Sequence, residues 1–87
     1  MYEGKTMVDI TTLQSKVLAI AAQQLEKNND QIDTVESLLS QGADELDCIE
    51  IVMRLEEQFG LEINDTDADL LTSVDAIVEY LQKHTKE

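Results

Sequence analysis

Eighty-seven residues with 43% hydrophobic content, no proline and a single cysteine allow one small core and exclude an internal disulfide, because a chain this short buries too little surface to support two cores. Nineteen acids against six bases, a formal charge of −13, argue against nucleic acid and anionic membrane surfaces as partners and favour a basic protein surface, although acidity also serves solubility alone. No apolar run approaches the roughly 18 residues of a membrane span, and no signal-peptide pattern opens the chain, so a cytoplasmic monomer with no membrane contact is expected.

Helix formers dominate, and the β-branched residues never alternate with polar ones over a run long enough for a strand, so the expected fold is all-α. Residues 1–7 read as a flexible extension of a single domain spanning 1–87. A first helix is predicted from a cap at Asp9, because Ile10, Leu13, Val17, Ile20 and Gln24/Leu25 recur at the spacing of one helix face. It ends near Lys27, where Asn28 and Asn29 suit a turn or a left-handed conformation. From Asn28 to Ala43 no strong period exists, and so long a connection must lie across the bundle, pinned by Ile32, Val35, Leu38 and Leu39. A helical turn is expected around Val35 to Leu39.

The second helix opens at Asp44, whose carboxylate can accept from the amide of Asp47, and stops at Gly60, a residue suited to the left-handed terminus. An extended link follows, with at most a short helix from Asp65 to Leu70. The last helix takes Thr72 or Ser73 as its cap, with Asp75 completing a box-like pair, and lines up Val74, Ile77, Val78 and Leu81 before ending near Lys83. Three principal helices and a short one result, joined by a long first loop.

The second helix carries two apolar stripes. Cys48, Ile51, Val52, Leu55 and Phe59 fall within an arc of about 100°, the width a helix needs to bury against its neighbours. Cys48 is therefore read as a small core residue and not as a reactive thiol. Opposite them, Leu46, Ile49 and Met53 form a line about 60° wide, flanked by Glu45 and Glu56 on one edge and by Asp47, Glu50 and Glu57 on the other. Three apolar side chains ringed by acids look like a docking strip, in which apolar contact supplies affinity and the charged rim orients the partner. The competing reading is that the long loop folds over Leu46 and Met53 and buries them.

The stretch "GADELDCIEIVMRLEEQFGLEINDTDADLLTSVDAIVEYLQKH", residues 42–84, together with "TLQSKVLAIAAQQLEKN", residues 12–28, resembles the acyl carrier proteins of fatty acid and polyketide synthesis. Their hallmark is Gly-Ala-Asp-Ser-Leu-Asp followed by an acidic helix, a Glu-Glu-x-Phe stop, an Ile-x-Asp link and a closing Thr-x-Val helix. The resemblance implies a four-helix bundle without enzymatic activity, and a partner-binding surface made of Leu46, Asp47, Ile49, Glu50, Met53 and Glu57, to which Asp44 at the helix cap and Arg54 beside the acidic rim are added as candidates by their position. It also implies that Glu45 occupies the position of the serine that carries 4′-phosphopantetheine. A carboxylate cannot form the stable phosphodiester that a hydroxyl forms, so no cofactor is expected unless the natural residue at 45 is serine. Glu45 is comfortable there, since a negative charge in the first helical turn gains about 0.3–1 kcal/mol, which favours simple tolerance; the second reading is that its charge stands in for the phosphate of a modified serine. Two further departures from the family pattern are Arg54, beside the acidic rim, and "SLLSQ", residues 37–41, which lacks the usual apolar residue just ahead of Gly42.

Other chemistry finds no support. The acids of "DTDAD" from Asp65 fail as a calcium loop, because Leu70 stands where glycine is needed and Ala76 where a bidentate glutamate belongs, and no specific metal site is expected. His84, the single histidine, has no nucleophile and orienting acid that could be assembled around it. Three readings stay open: an arm-free carrier-like module that binds the basic surface of an acyl-processing or biosynthetic enzyme, a working acyl carrier whose serine has been replaced by Glu45, and an acidic regulator unrelated to acyl transfer.

Overall fold

Apolar residues at helical spacing, uninterrupted by proline, set the architecture. The computed structural model describes residues 10–85. Four α-helices follow in the predicted order, α1 (Ile10–Leu25), α2 (Glu45–Phe59), α3 (Asp65–Ala68) and α4 (Val74–Thr85), with short 3₁₀ turns at Asn29–Gln31 and Leu39–Gln41. No strand is present among the described residues, in line with the all-α expectation. The predicted cap at Asp9 and the extension 1–7 lie outside the described residues.

The first helix packs against both α4 and α2. It buries Leu13, Val17, Ile20, Ala21 and Ala22, and the two alanines let its neighbours approach closely. These residues share one core cluster with Ile51 and Leu55 of α2 and with Val74, Ile77, Val78 and Leu81 of α4. Cys48, Val52 and Phe59 are half-buried against it, so the stripe assigned to the interior does face it.

Two helix ends differ from expectation. The first helix stops two residues early, and the left-handed residue is Glu26, with φ 58°, while Asn28 is extended and begins the first 3₁₀ turn. The amide of Lys27 donates to the carbonyl of Ala22 at 2.9 Å and that of Glu26 to Gln23 at 3.2 Å, a doubly bonded terminus that satisfies two otherwise orphaned carbonyls. At the start of α4, Ser73 is the cap, its hydroxyl accepting from the amide of Ala76 at 3.1 Å. Asp75 forms no box with it, because with Ser73 as the cap the third helical position falls on Ala76; the Asp75 amide donates instead to the carbonyl of Thr34 at 2.9 Å.

That last bond belongs to the long loop. Leu38 is fully buried and Ile32 nearly so, whereas Val35 and Leu39 are 73% and 61% exposed. Only half of the expected apolar pins therefore hold, and the regular turn begins at Leu39, the last residue of the stretch where it was expected. Polar bonds do the remaining work. The Gln41 side chain donates to the carbonyls of Asp33 at 2.8 Å and Glu36 at 3.1 Å, and its oxygen accepts from the Asp33 amide at 2.7 Å. Lys27 donates to the Gln41 carbonyl at 2.7 Å, and the Leu38 amide to that of Thr72 at 2.8 Å. Gln41 is thus the hub that folds the loop upon itself.

Candidate functional site on the exposed face of the second helix

Local chemistry defines where α2 begins. Asp44 is extended, its carboxylate accepts from the Asp47 amide at 2.8 Å, and the Asp47 carboxylate accepts in return from the Asp44 amide at 3.1 Å. This reciprocal box satisfies two donors at the helix start, and both charges face the positive end of the helix dipole. Glu45, the first helical residue, is exposed. At the other end Gly60 adopts φ 67°, and its amide and that of Leu61 converge on the carbonyl of Glu56.

The apolar line predicted on the outer face is open to solvent. Leu46, Ile49 and Met53 are 68%, 52% and 55% exposed, so the long loop does not cover them. Its two edges differ in kind. Toward α3, Glu56 turns away from the rim and accepts from the Ile63 amide at 2.8 Å, pinning the link after the helix. A groove of about 510 Å³ opens along this edge, lined in part by Glu45, Cys48, Ile49, Val52, Met53 and Ala68. Its α3 wall is held by the cap from Asn64 to the Asp67 amide and by the Tyr80 hydroxyl, which donates to Asp67 at 2.9 Å. Burial, and then that bond to a carboxylate, raise the Tyr80 hydroxyl above its usual pKa.

Toward α1, the rim is bonded to the neighbouring helix. The Gln24 amide donates to Asp47 at 3.1 Å and to Glu50 at 2.9 Å, and Arg54 donates to the Gln23 side-chain oxygen at 3.0 Å. The bond from Gln24, followed by that from the Asp44 amide, holds the Asp47 carboxyl below the usual aspartate range. Cys48 goes the other way: burial first, then the charges of Asp47, Asp44 and Glu45, push its thiol up. A thiol so disposed is protonated at neutral pH and packs instead of reacting.

All eight residues predicted for partner contact therefore lie on α2 or at its cap, and the structure brings them onto one side of the bundle. Asp44 and Asp47 spend carboxylate oxygens on the cap, Glu50 and Arg54 are tied to α1, and Glu57 is exposed. Sequence reasoning missed Gln23 and Gln24 as partners of the rim, since two neutral residues on a neighbouring helix carry no charge signal and the period that takes in Gln24 marks only a helix face. Among the described residues, no group of three or more His, Cys, Asp or Glu side chains is placed to hold a metal ion, and no helix is long and apolar enough to cross a membrane.

The family described as "Phosphopantetheine attachment site" matches residues 15–81, from within α1 to within α4. The chain belongs to that family. It is a carrier-protein domain and not an enzyme, since carriers of this kind present groups to catalysts elsewhere. The fold is also similar to the crystal structure of a free-standing peptidyl carrier protein from a secondary metabolic pathway of Acinetobacter baumannii, with a TM-score of 0.77 and 21% identity, over 86% of this chain and 94% of that one. The group for which the family is known requires a hydroxyl for attachment. The first turn of α2 offers Glu45, Leu46, Asp47 and Cys48, so its chemistry does not fit a phosphodiester link to pantetheine.

Proposed function

We propose that this carrier-protein domain acts as an arm-free interaction module, docking through the outer face of α2 onto the basic surface of an acyl-processing or biosynthetic enzyme. The observation that carries this reading is the open line of Leu46, Ile49 and Met53 with acids beside it. Monomeric proteins bury such lines unless a partner covers them, and a net charge of −13 draws that partner from among basic surfaces. Glu45 takes the place of the attachment serine, at the first residue of the helix. There its charge is stabilised by free amides and the helix dipole, and no arm can be added.

Intact-mass measurement after incubation with a phosphopantetheinyl transferase and coenzyme A tests the missing arm. The unaltered chain is expected to keep its mass, and Glu45→Ser to gain the arm; gain of mass by the unaltered chain would overturn the assignment of residue 45. Binding to a panel of acyl-processing enzymes tests the face: Met53→Glu is expected to abolish whatever binding the chain shows. Absence of binding across the panel favours instead the acidic regulator with no tie to acyl chemistry.

A second reading has its own support. The groove between α2 and α3 opens beside residue 45 and has apolar walls from Ile49, Val52, Met53 and Ala68, as suits a chain that once held cargo on a serine there. Under that reading Glu45→Ser restores a working carrier, and the groove then shields part of the tethered group.

A further inference from the structure

Glu50 and Arg54 stand four residues apart on α2 with the acid nearer the N-terminus, the arrangement in which an exposed helix ordinarily closes its own ion pair. Here that pair is replaced by two bonds to α1. The Gln24 amide takes Glu50 at 2.9 Å, and the Gln23 oxygen takes Arg54 at 3.0 Å. The orientation of Gln24 follows from its neighbours, because turning the amide over would set its oxygen against the carboxylates of both Asp47 and Glu50. Its own oxygen is left buried without a partner, a cost that the two charge-assisted bonds offset.

The arrangement leaves a fixed positive charge on an otherwise acidic edge. Arg54 is exposed, and with Glu50, Met53 and Glu57 it bounds a shallow groove of about 190 Å³ beside the apolar line. A guanidinium with one neutral partner keeps most of its donors, and planar donors in a fork suit a carboxylate. Gln23 limits the conformations that the long side chain must lose when such a partner arrives.

We propose that Gln23 and Gln24 are positioning residues that hold the Glu50–Arg54 pair open, and that Arg54 selects partners which set a carboxylate among the basic side chains facing α2. This rests on the docking reading above and adds to it a defined charge pattern: acids at Asp47 and Glu50 that call for bases, and a cation at 54 that calls for an acid. A uniformly basic surface would meet Arg54 as a like charge and be disfavoured.

The test uses the Glu45→Ser chain, with a phosphopantetheinyl transferase as the probe and coenzyme A as donor, following arm attachment by intact mass. Arg54→Gln should raise KM about two- to fivefold, as expected for losing an exposed ion pair, and leave kcat alone. Gln24→Ala should do the same, since Glu50 is then free to close on Arg54, and a nuclear Overhauser contact between the Arg54 and Glu50 side chains should emerge in that variant. In the Glu50→Gln background, Gln24→Ala should have no further effect on KM. Arg54→Glu should be the most impaired variant and should be rescued by a lysine at one acidic position of the transferase. If Met53→Glu impairs modification while Arg54→Gln and Gln24→Ala leave KM unchanged, or if no lysine rescues Arg54→Glu, the selective role of Arg54 is overturned and the docking face stands. If Met53→Glu also has no effect, the docking reading itself falls.

Discussion

Glu26 and Gly60 end their helices in the same left-handed conformation, at φ 58° and 67°, and only one of them is suited to it. A side chain with a β-carbon is strained there by roughly 1–2 kcal/mol, part of which glycine returns as extra freedom of the unfolded chain. Glu26→Gly is therefore expected to stabilise the protein by about 1 kcal/mol, raising its thermal midpoint by about 4–8 °C for a domain of this size. Gly60→Ala should shift it down by a similar amount, through backbone strain alone, because an added methyl group there meets open space. Equal effects of the same sign would show that the conformation is not what decides. Asp47 yields a pH prediction. Its folded carboxyl is held below the usual range, so the folded state binds fewer protons than the unfolded one across that interval. The stabilisation is complete above the ordinary aspartate range and is lost as the pH falls from that range through the lower midpoint of the folded state. Carbon-13 titration should find the Asp47 midpoint below that of an unperturbed aspartate and moved upward in Gln24→Ala; an unmoved midpoint would remove Gln24 as the main cause.

At the scale of elements, the long first loop decides how far α1 and α2 act as one body. Leu38 reaches the core and Leu39 does not, although the two are adjacent and identical in chemistry. Leu38→Ala should cost about 2–5 kcal/mol, and Leu39→Ala no more than about 0.5 kcal/mol, as read from urea denaturation. Comparable losses would mean that both side chains are buried in solution. The helices themselves were readable because their signals are local: the cap at Asp44, the stop at Gly60 and the spacing of Ile51, Val52, Leu55 and Phe59 all act within one or two turns. The loop was not, because which of Ile32, Val35, Leu38 and Leu39 turns inward depends on Thr34 meeting Asp75, Leu38 meeting Thr72 and Gln41 meeting Asp33, across distances in sequence that no periodicity spans.

For the whole molecule, a formal charge of −13 on 87 residues means that folding gathers like charges together. Repulsion of that kind is screened within about 10 Å at 0.1 M salt, so the thermal midpoint should rise by several degrees between about 0.02 and 0.5 M sodium chloride. A flat or falling midpoint would show that favourable charge contacts outweigh the repulsion. The same field governs association: capture by a basic partner should slow as salt is added, while the apolar contact of Met53 and Ile49 persists.

The sequence by itself determined the all-α architecture and the separation of α2 into an inward and an outward face, because both follow from residue type at helical spacing, and the family was legible as a resemblance of motifs over nearly the whole chain. Whether the outward line would stay open, and how its rim is held, were decided by tertiary structure alone. Leu46 and Met53 are uncovered because Gln41 and Lys27 fold the loop back on itself, and the rim toward α1 has its shape because Gln23 and Gln24 reach it. Hydrogen bonds between residues on separate elements leave no mark on the pattern of either one, and the placement of the Arg54 guanidinium depends on them.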